Sequence, residues 1–171
     1  MNLGLNSIRG ACTAQATMAS PLGAILLARS ECGLTGVWFV EGQKDCPTEL
    51  DAPQQPGDPL LRAAADQLSA YFAGRGTRFD LPLDLRGTEF QRKVWRALLR
   101  IGAGQTRSYG DIARQVGSPQ AVRAVGAAVG RNPVSVIVPC HRVIGSSGAL
   151  TGYAGGMERK RALLVLEGLA V

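Results

Sequence analysis

The residues in this chain best suited to covalent chemistry stand together at Pro139-Cys140-His141-Arg142, where a thiol adjoins the single histidine of the sequence and a guanidinium. The thiolate is the nucleophilic form of cysteine, and a neighbouring base or positive charge raises its share at neutral pH. His141 and Arg142 supply one of each. A second reading stays open on these residues alone, under which Cys140 is an ordinary core thiol, because unpaired cysteine is among the most buried residue types. Cys140 follows the β-branched run Val136-Ile137-Val138, which reads as a core strand. Neighbours along a strand point to opposite faces, so His141 reaches Cys140 only if the chain bends or a water bridges them. Pro139 and Gly145 mark such a bend.

Positioning a thiol requires a folded frame, and 171 residues with 46% hydrophobic and 19% charged content provide for one good core or two small ones. No apolar run approaches the roughly 20 residues of a membrane span, and the N-terminus lacks the pattern of a secretory signal. The expected compartment is the cytoplasm, with reduced thiols. Cys12, Cys32, Cys46 and Cys140 are widely spaced without a Cys-x-x-Cys pair, so no metal site is expected. Charge divides the chain. Residues 1–85 hold 6 Lys and Arg against 9 Asp and Glu, net −3, whereas residues 86–171 hold 13 against 4, net +9. The basic half suits a polyanion, nucleic acid first, since phosphate neutralisation supplies most non-specific affinity. A solvated basic face is the alternative.

The break in charge falls at Leu83-Asp84-Leu85-Arg86-Gly87, which reads as a linker between domains 1–84 and 85–171. Before it, apolar runs from Ala11 to Val40 alternate with turn residues such as Ser20-Pro21-Leu22-Gly23, predicting antiparallel hairpins. Residues 41–58 read as an acidic surface loop, residues 59–73 as an amphipathic helix and residues 77–83 as a further strand, with Pro82 favouring an edge. After the linker, Thr88 and Gln91 form a capping box for a helix whose core face is Phe90, Val94, Trp95, Leu98, Leu99 and Ile101. Trp95 reads as a core anchor rather than a base-stacking platform. Ser108 and Asp111 cap a second helix that Gly117 closes, and Ser118 with Pro119 caps a third, running to about Gly130. Helix, glycine turn, helix is the pattern of a helix-turn-helix. The third helix faces the core with Val122, Val125 and Val129 and is otherwise Ala and Gly with Arg123. Two uses fit so slim a helix: tight helix packing, or entry into a nucleic-acid groove.

Phe90-Gln91 with Val94-Trp95, Arg107-Ser108-Tyr109-Gly110, Arg123-Ala124-Val125-Gly126, Asn132-Pro133 and Pro139-Cys140-His141-Arg142-Val143-Ile144-Gly145 together resemble the O6-alkylguanine-DNA alkyltransferases, the methylated-DNA:protein-cysteine methyltransferases. The likeness is dense from Leu85 to Glu167 and collinear before it. It implies an α+β architecture: an N-terminal antiparallel sheet with a helix, ribonuclease H-like, then a helical domain with a winged-helix-like helix-turn-helix. It further implies a protein that flips an alkylated guanine out of duplex DNA and moves the O6-alkyl group irreversibly to a cysteine, once per molecule.

Carried across by position, the resemblance makes Cys140 the nucleophile, His141 a base acting through a water, and Glu167 the group that orients the imidazole. Tyr109 donates towards guanine N3, and Asn132 braces the turn before the thiol. Arg123 fills the vacated stack, on a helix whose Ala121, Ala124, Gly126 and Ala127, with Ser118 and Gln120 before it, approach the minor groove. The pocket is assigned to Val129, Ser135, Val143, Tyr153, Ala154, Gly155 and Lys160, with the carbonyls of Cys140 and Val143 and the N–H of Ala154 reading the base. The chain departs from many relatives in having Gly102 where proline is common and Ala154 where some have serine, and it lacks the histidines of the zinc site that some members carry. No cofactor is implied. The implied partner is double-stranded DNA containing O6-alkylguanine, bound by a monomer; cooperative assembly along DNA stays open.

Overall fold

The computed structural model describes residues 3–171. The chain forms two compact units, Met1–Gly87 and Thr88–Val171.

In the first unit the strands β1 (Ala14–Met18), β2 (Ile25–Arg29) and β3 (Leu34–Phe39) form an antiparallel sheet in the order β1-β2-β3. The turn residues set the hairpins as predicted. Gly23 takes φ 111° and its N–H reaches the Ser20 carbonyl at 3.1 Å, while Ser30 and Gly33 close the next turn at 2.9 Å. Gly36 is required for packing rather than for a turn: a Cβ there would come within 2.0 Å of the Trp38 indole, which lies across that glycine. Trp38 joins Ile8, Leu26 and Ala28 in a buried cluster that Leu5, Cys12, Cys46 and Leu50 flank. Ile8 and Leu5 come from α1 (Leu3–Ala11), for which the sequence reading assigns no element. The predicted helix is α2 (Pro59–Phe72), capped by the Asp58 carboxylate and packed on β1 and β2 through Leu61, Ala64, Leu68 and Tyr71.

Residues 77–83 are not a strand. The pairing shrinks to one parallel bridge between Leu34 and Leu83, flanked by hydrogen bonds from Leu34 N–H to Pro82 and from Asp84 N–H to Leu34. Proline has no N–H to extend a ladder, and upstream the Gln67 side chain takes both backbone groups of Asp80. The acidic loop is less free than its composition suggests, because the Gln15 amide binds the Leu50 and Ala52 carbonyls and Gln15 bridges Gln54.

The second unit holds α3 (Glu89–Leu98), β4 (Arg107–Ser108), α4 (Tyr109–Gln115), α5 (Val122–Gly130), β5 (Val143–Ile144) and α6 (Met157–Leu166). Both expected capping boxes form, Thr88 with Gln91 and Ser108 with Asp111. Val94, Trp95, Leu98 and Ile101 are buried; Leu99, expected among them, is 43% exposed. Trp95 is the anchor: its indole N–H donates to the Ala128 carbonyl at 2.8 Å and fixes α5 against α3. The Ser118 cap does not form. Ala121 N–H closes a turn on the Ser118 carbonyl at 2.9 Å, and α5 starts at Val122 without a side-chain cap. A serine followed by proline also begins a β-turn, and here that use prevails. Val122 consequently faces out, 41% exposed, while Val125, Ala128 and Val129 fill the core. No described helix is long and apolar enough to cross a membrane.

Candidate active site

The run before the thiol is a turn, not the expected strand. Asn132 folds it: its side-chain amide donates to the Val138 carbonyl at 2.8 Å, while its oxygen accepts from Val134 N–H at 2.9 Å. Val138 N–H then bonds the Val134 carbonyl at 3.0 Å. Val136, buried and β-branched, is held at φ 70°. That conformation is strained by about 1–3 kcal/mol and persists only where surrounding bonds over-determine it. Pro139 then leads into a 3-10 turn, Cys140–Arg142. Three residues per turn separate successive side chains by about a third of a revolution, so Cys140 and His141 escape the opposed facing of a strand. Val143–Ile144 finally pairs in parallel with Arg107–Ser108, carrying the turn alongside the start of α4.

His141 is fully buried and its Nε2 lies 2.7 Å from Glu167 Oε1. Glu167 follows α6, and the Arg142 guanidinium grips the same carboxylate, Nε at 2.9 Å and Nη2 at 2.7 Å, while also donating to the Ile101 carbonyl. Burial pushes the Glu167 carboxyl upward, but the hydrogen bonds and charges of His141 and Arg142 outweigh it and bring it down to about 2. The carboxylate is therefore ionised at neutral pH. Burial holds His141 below its ordinary value against the pull of Glu167, so the ring is neutral. A neutral ring donating from Nε2 presents an acceptor lone pair at Nδ1. Among the described residues this buried Nδ1 has no hydrogen-bond partner.

Cys140 is 4% exposed, and burial pushes its thiol up, opposed by the Asn132 amide and the Lys160 ammonium. Lys160 is itself buried, and desolvation lowers it to about 8. Its Nζ donates to the carbonyls of Val143 at 2.6 Å and Thr151 at 2.7 Å, tying the strand after the thiol to the loop 146–156. The ammonium thus occupies the Val143 carbonyl on one of its two lone pairs. Thr151 also donates its hydroxyl to the Tyr109 oxygen at 3.2 Å. Tyr153 and Ala154 are half-buried beside buried Gly155, whose carbonyl accepts from Arg159 at 3.0 Å. Ser135 and Val129 are buried near the Asn132 turn and at the end of α5.

The structure gathers His141, Glu167, Cys140, Asn132 and Lys160 around one turn. Arg123 lies elsewhere, on the exposed face of α5 with Ala124 and Ala127. Gly126 sits over the Tyr109 ring: a Cβ there would meet Tyr109 at 3.8 Å, so α5 passes directly above that phenol. Ser118, Gln120 and Ala121 line a shallow pocket with Pro119 at the entrance to α5. Arg142, expected as the positive charge beside the thiol, holds Glu167 instead, and the cation that opposes the rise of the Cys140 thiol is Lys160. Thr151 escaped the sequence reading of the site: it connects the loop to Tyr109, and nothing in the sequence marks it.

Two family profiles cover the chain in succession: the ribonuclease-like domain of 6-O-methylguanine DNA methyltransferase over residues 14–85, and its DNA binding domain over residues 89–169. The chain belongs to the 6-O-methylguanine DNA methyltransferase family. Several relatives match along nearly their whole length. The methylated-DNA–protein-cysteine methyltransferases of Mycobacterium bovis and Mycobacterium tuberculosis are 55% identical over 151 residues, 88% of this chain and 90% of theirs. The protein of the same name from Methanosarcina acetivorans is 50% identical over 90% of this chain and 97% of its own. The crystal structure of Mycobacterium tuberculosis OGT in complex with DNA superposes with a TM-score of 0.82 at 53% identity, covering 91% of this chain and 92% of that one. The family's division into a ribonuclease-like and a DNA binding domain accords with the mixed sheet-and-helix architecture and the helical second unit described above.

Proposed function

We propose that this protein repairs DNA by direct reversal, transferring the O6-alkyl group of guanine in duplex DNA irreversibly to Cys140. The observation that carries the reading is a buried thiol in a braced turn, next to a neutral histidine held by an ionised Glu167, in a chain of this family. The thiol proton passes through a water to Nδ1 of His141, and Glu167 stabilises the imidazolium that forms. The sulfur attacks the alkyl carbon, a C–S bond forms, the C–O6 bond breaks, and its electron pair stays on the base. Tyr109 offsets that charge by donating towards N3. Thr151 already donates to the phenol oxygen, which leaves the phenol hydrogen free for the base. Asn132 and Lys160 keep the turn and the loop in register, and the pocket formed by Val129, Ser135, Val143, Tyr153, Ala154 and Gly155 receives the flipped guanine. Arg123 occupies the gap it leaves, with Ser118, Gln120, Ala121, Ala124, Gly126 and Ala127 along the minor groove. Under this reading the protein works in the cytoplasm as a monomer, without a cofactor.

Mass spectrometry after incubation with duplex DNA containing O6-methylguanine tests it: one methyl group on Cys140 per molecule is expected. Tight binding without a mass increase would instead mark a lesion-flagging module, and multiple turnover on an ester would mark a cysteine hydrolase. Two substitutions separate the assigned roles. Arg123→Ala slows repair of duplex DNA at least 10-fold more than reaction with the free alkylated base, since only the duplex has a stack to open; equal losses in stopped-flow assays contradict the role. Thr151→Val slows transfer about 3- to 10-fold, the worth of one hydrogen bond. Combined with Tyr109→Phe it adds nothing further, because the threonine acts through that hydroxyl.

A further inference from the structure

The exposed face of α5 has a single cation, Arg123, among alanines, with Arg131 just beyond the helix. Phosphate neutralisation supplies essentially all of a protein's non-specific affinity for DNA, so a face this poor in charge leaves the larger part of that task to other elements. Of the remaining cations in the second unit, Arg142 is committed to Glu167, Lys160 is buried on carbonyls, and Arg114 pairs with Asp111. The densest group left is on α3. Lys93, Arg96 and, in the turn closing the helix, Arg100 are exposed, and Arg92 beside them is half-buried.

At 100° per residue Arg92, Lys93 and Arg96 fall within about 100° of arc, opposite the buried Val94 and Leu98, and Arg100 follows in the turn just beyond the helix. Among the described residues none of the four side chains has a hydrogen bond or an ion pair. Glu89 at the helix start is the lone carboxylate on that arc. From Arg92 to Arg100 the rise is about 12 Å, a length over which one DNA strand presents three or four phosphates at about 3.4 Å of axis each. Long, flexible, unpaired cations at this spacing match a repeating anion better than a single ligand.

We infer that the α3 stripe Arg92, Lys93, Arg96 and Arg100 is a second, sequence-independent phosphate-contact surface, gripping the DNA backbone while the slim α5 enters the groove. Its occupant is the sugar-phosphate backbone of duplex DNA. The inference rests on the proposed function and adds to it a division of labour: α5 reads and opens the duplex, and α3 supplies electrostatic affinity.

The test is the salt dependence of binding, measured by fluorescence anisotropy on an unmodified duplex, for the parent and for a Lys93→Gln, Arg96→Gln, Arg100→Gln triple variant. Each lost phosphate contact reduces the slope of log K against log salt by about 0.9, so a reduction of about 2–3 is expected. Between roughly 50 and 200 mM salt the parent then loses about 40-fold more affinity than the variant. An Arg96→Lys, Arg100→Lys variant keeps the parental slope, because point charges suffice. Melting by circular dichroism verifies that the triple variant is folded. A folded triple variant with the parental slope overturns the inference, including the case in which it loses binding to anionic vesicles instead. Methyl transfer by the parent to Cys140 is scored separately: its absence sinks the functional reading and this inference with it, whereas transfer with an unchanged slope sinks this inference alone.

Discussion

Cys140→Ala abolishes methyl transfer outright while its affinity for duplex DNA stays within about twofold of the parent. Transfer requires a sulfur that ends the reaction bonded to the alkyl carbon, and neither of the two nearest side chains in the motif can replace it. The guanidinium of Arg142 is not a nucleophile, and His141 is fully buried, tied to Glu167 through Nε2 and, in the proposed relay, separated from the alkyl carbon by the water on Nδ1. The thiol is 4% exposed, so its removal does not alter the surface that meets DNA. The fold should tolerate the change, because the turn is held by Asn132 and not by the sulfur. Radiolabelled O6-methylguanine duplex and anisotropy on the same preparation give both numbers. Residual transfer above about one part in a thousand would move the nucleophile elsewhere, and joint loss of transfer and binding would contradict the division between turn and helix.

Glu167→Gln is the second large effect, and it combines activity with stability. The imidazolium formed during transfer loses its counter-charge, and comparable losses in acid–base relays are about 10²–10⁴-fold. The buried Arg142 guanidinium loses its partner as well, which costs about 3–5 kcal/mol when one member of a buried pair is removed. pH supplies an independent reading. The Glu167 carboxyl lies at about 2 in the folded protein against an ordinary 4.5, a depressed value, so its stabilisation is complete above about pH 4.5 and is lost as pH falls towards 2. The difference corresponds to about 3 kcal/mol. His141 is depressed too, and its neutral form likewise favours the fold at higher pH, with loss beginning as pH falls through its ordinary value of 6.5. Melting temperatures of the parent should therefore fall steadily below neutrality and steeply below pH 4.5. In Glu167→Gln the steep part disappears; a variant retaining it would place the acid-labile group elsewhere.

Much of this arrangement is legible in the chain because it is local. The capping boxes at Thr88 and Ser108, the hairpin turns at Ser20–Gly23 and Ser30–Gly33, and the core period of α2 each depend on residues within four positions of one another. The failures arise where one signal serves two structures. Ser118-Pro119 suits a helix cap and a β-turn equally, and Val136-Ile137-Val138 has the composition of a strand while Asn132, four positions upstream of Val136, bends it into a turn. Residues 77–83 have strand composition, but Pro82 cannot carry a ladder. At the site, the His141–Glu167 pairing joins residues 26 apart, beyond the reach of spacing arguments. It enters the sequence reading through family resemblance alone. Arg142 acts through several long-range bonds to Glu167 and Ile101, and Thr151 through one to Tyr109, and no periodicity announces them.

The indole hydrogen bond between Trp95 and α5 has an optical consequence. The chain has two tryptophans, Trp38 in the first unit and Trp95 in the second, both buried. Each unit thus contains its own tryptophan, and Trp38→Phe leaves a tryptophan emission that belongs to the second unit alone. Because the Trp95 N–H ends on a carbonyl of α5, the emission maximum of that variant reports on the seating of the helix itself. Denaturant, DNA and methylation of Cys140 can then each be titrated against one reporter, without a label and without disturbing the groove face.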